Sequence, residues 1–433
     1  MVVDTDTSEL VTEPDGVERR RRTKKPSRTV RWLVVTHRWS LLVLGIALVA
    51  ITTSGAAVVY EPEWTKWHNA SAFHSTPSEN PITEQQALAV VKAAHPKFDA
   101  THVISRGGIY DAGDADYGPQ HYAVDPGTGK LNGAFTTDTG FMGVMLNLHE
   151  CFLACEDYPG YVALLNHAFP VPDWLGEGGQ ITGGAIVLAL AGLLLLLAAV
   201  SGFIIWFPTV KRWSQWARVR FGKGRYARDY DLHNVIGFVA VPFLLMWGFT
   251  GASFELPVFS NAWHAVTGTK SVPDSAYEFA SAKAPKGTRD ISLTEAIAAG
   301  KARVGGTPRD VMLPDAKDPK GYFTLYFQVG VDGYAHSSAP GATAVYVDRH
   351  DASRLKVAED PADRTVITRL WEGWRYGLFH YGFGVNAWWR LPWFIFGLTP
   401  LILMWTGVST WLYTLGVKRR RKKARAARAE VAA

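Results

Sequence analysis

Four histidines, His37, His233, His149 and His380, fall where side chains rarely carry a titratable group, at the edges of long apolar runs. His37 opens HRWSLLVLGIALVAITTSGA and precedes Gly55 by 18 residues, and His233 opens HNVIGFVAVPFLLMWGFTGA and precedes Gly251 by the same 18. Each run is long enough to cross a bilayer, because about 20 apolar residues rising ~1.5 Å each span the ~30 Å hydrocarbon core. An ionisable residue repeated at one membrane depth marks a functional site. Neutral imidazole binds haem iron without placing net charge in the bilayer, and two axial imidazoles leave no open position, which favours electron transfer over oxygen chemistry. His149 in MLNLHECFLAC and His380 in WRYGLFHYGFGVNAWWRLPWF stand upstream of the second and fourth apolar runs. They give a second pair near the opposite membrane face, with His167 as rival to His149 because it lies closer to its run. The expected cofactors are two haems b, one on His37 and His233, the other on His149 and His380. No C-x-x-C-H motif attaches haem covalently. No G-x-S-x-G, H-E-x-x-H or phosphate-cradling glycine loop is present, and no catalytic residue is assigned.

The elements that position these residues follow from hydropathy. The chain has 433 residues, 48% of them hydrophobic, separated into apolar and polar blocks. We expect a cytoplasmic basic tail (1–30), transmembrane helix 1 (31–60), an outer α+β domain with an interfacial segment (61–180) and transmembrane helix 2 (181–207). A cytoplasmic basic loop (208–231), transmembrane helix 3 (232–256), a second outer domain (257–387), transmembrane helix 4 (388–415) and a basic tail (416–433) complete the chain. ERRRRTKKPSR (18–28), VKRWSQWARVRFGKGRYAR (210–228) and VKRRRKKARAAR (417–428) all fall on one side of such a layout. The positive-inside rule makes that side cytoplasmic, so both termini are expected inside a bacterial cell membrane. The net charge of +6 is therefore topological and does not point to nucleic acid. The first apolar run is followed by Glu61, Pro62 and Glu63 in place of a small-residue cleavage site, so it stays as an anchor. The only cysteines, Cys151 and Cys155, lie in the outward block, where a local disulfide is permitted.

The halves share a plan. Ser201 precedes Trp206, and Thr406 precedes Trp411, by the same 5 residues, each near the end of a span. Both halves begin inside, so we expect parallel pseudo-repeats with sites shared between them. PITEQQALAVVKAAHP (81–96) and DISLTEAIAAGKARVG (290–305) both read as capped amphipathic helices. QHYAVDPGTGKLNGAF (120–135), GYFTLYFQVGV (321–331) and TAVYVDRHDASRLKV (343–357) read as strands and turns, and GGIYDAGDADYG (107–118) as a loop. Gly45, Gly192, Gly237, Gly248 and the Ser/Thr-Gly pairs allow close helix approach or room for a flat macrocycle. Trp39, Trp247, Trp371, Trp374, Trp388, Trp389 and Trp393 either wall such pockets or form an interfacial belt. Arg375 and Arg390 suit haem propionates or lipid headgroups. The remaining histidines, among them His68, His74, His102, His121 and His264, are expected at the surface.

The ordered set H-R-W (37–39), N-L-H (147–149), D-L-H (231–233), F-H-Y-G-F-G (379–384) and the Ser/Thr-Gly pairs resembles the PepSY-associated transmembrane proteins. These include bacterial inner-membrane siderophore-iron reductases. The resemblance implies four transmembrane helices with two extracytoplasmic PepSY-like domains, and a haem-dependent oxidoreductase. It implies electrons passing from a cytoplasmic reductase or membrane quinol to a ferric siderophore or other ferric chelate outside. Asp348-Arg349-His350-Asp351 departs from the family's turn, which prefers Pro and Gly. Two other readings compete: a membrane-anchored protein that binds or inhibits an extracytoplasmic peptidase, and a transporter. The lack of paired intramembrane carboxylates weighs against the second.

Overall fold

The computed structural model describes residues 10–12, 18–20, 27–114, 118–207, 218–270, 275, 277–285, 287–329, 342–358, 380 and 387–432. Trp371, Trp374 and Arg375 lie outside them, as does much of the 210–228 connector. Among the described residues the α-helices are α1 (Arg28–Val58), α2 (Glu61–His68), α3 (Glu84–Ala94), α4 (Gly140–Glu150), α5 (Gly183–Trp206), α6 (Arg225–Glu255), α7 (Pro257–Thr267), α8 (Leu293–Val304), α9 (Ala387–Gly397) and α10 (Thr399–Ala432). Among the described residues, four helical stretches are long and apolar enough to cross a membrane: α1, α5, α6 and the run Ala387–Val431. The chain divides into two compact units, residues 1–53, 190–249 and 398–433, and residues 54–189 and 250–397.

In the first unit, helices approach at small residues. A Cβ on Gly248 of α6 would lie 2.8 Å from the backbone nitrogen of Leu196 and 3.1 Å from the carbonyl of Gly192, both on α5. Only glycine lets the two backbones come this close, the small-residue packing by which membrane helices associate without a hydrophobic driving force between them. Gly45 of α1 does the same against the Met404 side chain, 3.1 Å from where its Cβ would be.

The second unit is built on one eight-stranded antiparallel sheet. Its strands are β1 (Ala100–Arg106), β2 (Ile109–Asp114), β3 (Gln120–Val124), β4 (Leu131–Thr136), β5 (Thr307–Met312), β6 (Tyr322–Gln328), β7 (Ala342–Asp348) and β8 (Leu355–Ala358), in spatial order β8-β7-β6-β5-β1-β2-β3-β4. The two polar blocks thus share a sheet where separate modules were expected. The seam pairs Val103 with Val311 and Ile104 with Asp310. Joining there removes two exposed edges and lets one apolar core form from both blocks. That core contains Val91, Val103, Val311, Phe323 and Phe327, covered by α3 and α8. Both helices begin in capping boxes, Thr83 with Gln86 and Ser292 with Glu295, as their sequences predict.

The other sheet face combines an apolar cluster of Phe73, Ile109, Ala123 and Phe135 with buried charged groups. Asp111 accepts from His121 Nδ1 at 2.8 Å and pairs with Arg106 at 2.6 Å, and Thr137 Oγ1 lies 3.2 Å from His121 Nε2. Burial opposes ionisation of Asp111, but the Arg106 guanidinium and His121 hold its carboxyl below the usual carboxylate range. His102 is 1% and His121 6% exposed, so both are core residues, contrary to the surface role expected of them. Residues 109–114, expected as loop, form β2. Gly107 and Gly108 (φ +60° and +90°) make the tight hairpin, and Gly113 makes room for His102, whose Cε1 would lie 2.3 Å from a Cβ there.

Asp125 and Asp348 anchor the hairpin turns β3–β4 and β7–β8. Asp125 accepts from Thr76 N at 3.0 Å, Thr76 Oγ1 at 2.6 Å, Gly127 N at 2.9 Å and Thr128 Oγ1 at 2.9 Å. Asp348 accepts from Ala282 N at 2.6 Å, His350 N at 2.8 Å and Arg354 Nη1 at 2.6 Å. Asp348 organises the second turn together with Asp351, which accepts from Ser353 N at 2.9 Å, and the turn forms without Pro or Gly.

Candidate functional site

In the first unit, α1 and α6 bring His37 and His233 together, with ring centroids 6.5 Å apart and planes at 85°. Each ring is held by a hydroxyl from another helix. Nδ1 of His37 lies 2.8 Å from Ser201 Oγ of α5, and Nδ1 of His233 lies 3.1 Å from both Thr406 Oγ1 and the Leu403 carbonyl of α10. The partners determine the tautomers. Ser201 donates its own proton to the Leu197 carbonyl at 2.5 Å, and Thr406 donates to Ile402 at 2.9 Å. Both hydroxyls therefore accept from Nδ1–H, and the Leu403 carbonyl can only accept. Nε2 of each ring is left with its lone pair, and it has no protein hydrogen-bond partner among the described residues. This is the arrangement that prepares a histidine for a metal. Glycines next to the hydroxyls make the approach possible: a Cβ on Gly202 would sit 3.3 Å from His37 Cε1, and one on Gly407 3.4 Å from His233 Cε1.

The pair borders a cavity of about 240 Å³ whose walls are otherwise mainly aliphatic, aromatic and glycine, with Gly45, Gly202, Gly237 and Gly407 among them. Among the described residues its tryptophans are Trp206 and Trp411, and not Trp39, Trp247, Trp388, Trp389 or Trp393. Trp206 packs on Phe238 at 4.3 Å. Trp39 is half exposed and Trp388 82% exposed, in keeping with a belt.

In the second unit His149, at the end of α4, meets His380, with ring centroids 5.7 Å apart and planes at 31°. Nδ1 of His380 is 3.2 Å from Thr250 Oγ1, and Phe254 packs edge-on against the same ring at 4.9 Å. A Cβ on Gly55 would sit 2.4 Å from His149 Cε1. His167, the rival to His149, packs against Phe169 at 4.9 Å. The N-L-H motif gains a reason in the loop after α4. Asn147 is fully buried, donates to the carbonyls of Cys155, Tyr158 and Pro159, and accepts from Cys155 N at 3.1 Å. Cys151 and Cys155 are joined by a disulfide in that loop.

Sequence reasoning located the four histidines but missed what steadies them. Each Ser/Thr-Gly pair neighbours one histidine: Ser201-Gly202 with His37, Thr406-Gly407 with His233, Ser54-Gly55 with His149 and Thr250-Gly251 with His380. The pairs had been read only as space for helix packing or a ligand. Their recurrence once per span was the signal available. Arg390 differs from its expected role. It pairs with Glu63, donates to the Val59 carbonyl at 2.6 Å and stacks over Tyr60, so it locks the corner between α1 and α2. His68 stacks on Trp64 at 6.3 Å. Among the described residues, no group of three or more His, Cys, Asp or Glu is arranged to hold a metal ion. A histidine pair suits axial ligation of a metal whose other positions a planar ligand fills, and His102 and His121, 6.3 Å apart in the sheet, are set apart by the hydrogen bonds that both His121 nitrogens already make.

The sequence profile of the PepSY-associated TM region matches residues 34–413. An uncharacterised protein of Pseudomonas aeruginosa is 36% identical over 69 residues, which make up 16% of this chain and 17% of that protein. The chain thus matches only a small part of that relative's length.

Proposed function

Because the chain belongs to the PepSY-associated transmembrane family, we propose that it is a membrane electron-transfer protein that holds two haems b and reduces a ferric chelate. The observation that carries this reading is the pairing of His37 with His233, each with Nδ1–H held by a hydroxyl and Nε2 left as a donor. A metal held by a ring nitrogen at about 2.1 Å would lie roughly 3.2 Å from the ring centre, so two imidazoles sharing one would stand about 6.4 Å apart. The 6.5 Å between the His37 and His233 rings supports a shared metal there, and the 5.7 Å at His149 and His380 is a closer approach than that span.

Haem b bound by two imidazoles supplies one-electron transfer without an open coordination position. The chain's own residues do the rest. Ser201 and Thr406 fix ring orientation, the glycines leave a slot beside the rings, and the apolar cavity keeps water from His37 and His233. One electron reduces each ferric ion, supplied by a cytoplasmic reductase or a membrane quinol. The acceptor is a ferric siderophore or a similar chelate, which releases iron because ferrous ion binds hard oxygen ligands less tightly. We place the sheet outside the bacterial inner membrane and both termini in the cytoplasm, following the basic segments 18–28, 210–228 and 417–428. In this reading the halves are parallel pseudo-repeats, each giving one PepSY-like helix and four strands to the shared sheet.

The test is chain reconstituted in liposomes with dithionite enclosed, a ferric hydroxamate outside and a ferrous-specific dye as readout. We expect dye formation that depends on the chain and falls to the protein-free rate in His233→Ala. Equal rates with and without protein, or an unaffected His233→Ala, contradict the reading. A haem-free chain that retains a peptidase would instead support the anchored peptidase-binding alternative.

A further inference from the structure

Among the described residues, the wall of the cavity beside His37 and His233 carries one permanent charge, that of Arg38, and no Asp or Glu lines it. Arg38 Nε is buried without a hydrogen-bond partner, and among the described residues the guanidinium joins no ion pair. It lies over Trp39, with Cζ 5.8 Å from the ring centre. A guanidinium within an apolar spanning helix is unfavourable by several kcal/mol unless an anion or water meets it, and its planar fork matches a carboxylate.

The direction of the side chain is also constrained. Side chains on a helix lean toward its N-terminus, so Arg38 reaches toward the start of α1. There Trp39 meets Trp411 edge-on at 6.4 Å and Tyr226 stacks on Tyr413 at 4.9 Å, which brings the N-terminal halves of α1 and α6 to the same stretch of α10. Tyr226 and Tyr230 line the cavity there, while leucines and glycines such as Leu41, Gly45 and Leu195 line its body. The cavity is thus apolar along its length, with a cation and two phenols toward one end. It fits a flat apolar ligand that carries anionic oxygens on a single edge.

We propose that Arg38 binds a carboxylate on that edge, so that the propionate side of the porphyrin faces the N-terminal ends of α1 and α6. The proposal rests on the haem reading and adds the ligand's orientation to it. Arg38 is a positioning residue here, and a lipid headgroup phosphate is the competing anion.

The test uses full-length chain from haem-deficient cells, carrying His380→Ala so that the His37–His233 site is read alone. It is titrated with ferric protoporphyrin IX and with its dimethyl ester, following the low-spin spectrum. A charge-assisted hydrogen bond is worth about 1.5–3 kcal/mol, so Arg38→Gln should weaken protoporphyrin binding roughly ten- to hundred-fold. The dimethyl ester should bind alike with and without that substitution, and Arg38→Lys should recover part of the loss. Equal weakening of both porphyrins, or of neither, overturns the proposal. Unchanged porphyrin affinity with loss of co-purified anionic phospholipid from Arg38→Gln also overturns it and assigns Arg38 to a headgroup. If neither porphyrin gives a low-spin spectrum even with Arg38 intact, the haem reading itself fails, and the proposal with it.

Discussion

Ser201 and Thr406 decide which nitrogen of His37 and His233 faces outward, and they do it with hydroxyls whose own protons already go to Leu197 and Ile402. Removing such a partner typically lowers metal affinity by about 10–100-fold. Ser201→Ala should therefore lower haem retention at the His37 pair by roughly ten-fold or more, measured by titrating apo-protein, while the chain still folds and inserts. Gly55→Val should remove the haem assigned to His149 and His380 and spare the other, because even a Cβ there would lie 2.4 Å from the imidazole. The ratio of haem to protein checks it. At this scale the histidines were legible because polar side chains at matched offsets in apolar runs are conspicuous. Their partners were not, because Ser201 and His37 are 164 residues apart and no local spacing joins them.

The helices set ring angles as well as distances. At the His37 pair the planes cross at 85°, and at the His149 pair they are inclined by only 31°. Crossed imidazoles leave two iron d orbitals nearly equal in energy, whereas near-parallel ones split them. Oxidised protein should then show two low-spin electron paramagnetic resonance signals, a strongly axial one lost in His233→Ala and a rhombic one lost in His380→Ala. A single shared line shape would contradict the two geometries. Helix starts were readable from Thr83 and Ser292, whose caps are local chemistry, and Ser292→Ala should cost about 1 kcal/mol by thermal unfolding. Strand β2 was not readable. Its composition of Gly, Asp and Ala looks like a loop, and only Arg106, His121 and His102 across the sheet explain why Asp111 and Gly113 belong in a strand.

For the whole molecule, the four apolar spans followed from hydropathy and the two polar blocks from their lengths, but not the seam that joins the blocks in one sheet. Pairing of β1 with β5 depends on which strand edges remain free after folding, a property of neither block by itself. Two carboxylates pin that sheet's hairpins, and pH dependence follows from them. Burial opposes ionisation of Asp125 and Asp348, yet the hydrogen bonds from Thr76, Gly127 and Thr128, and from Ala282, His350 and Arg354, hold both below the usual range. A depressed folded pKa contributes stability that is complete above the unfolded value of about 3.9 and is lost as pH falls through the folded value. Circular-dichroism melts should show a drop below about pH 4 that Asp125→Asn reduces, along with roughly 2–3 kcal/mol lower stability at neutral pH. The central claim concerns the paired imidazoles, and its most direct test is the dithionite-reduced minus oxidised spectrum of detergent-purified chain with haem counted per protein. The account predicts two low-spin b-type haems per chain, with His37→Ala or His233→Ala removing one and His149→Ala or His380→Ala the other. A colourless protein from haem-replete cells, or haem content unchanged in all four variants, would contradict it.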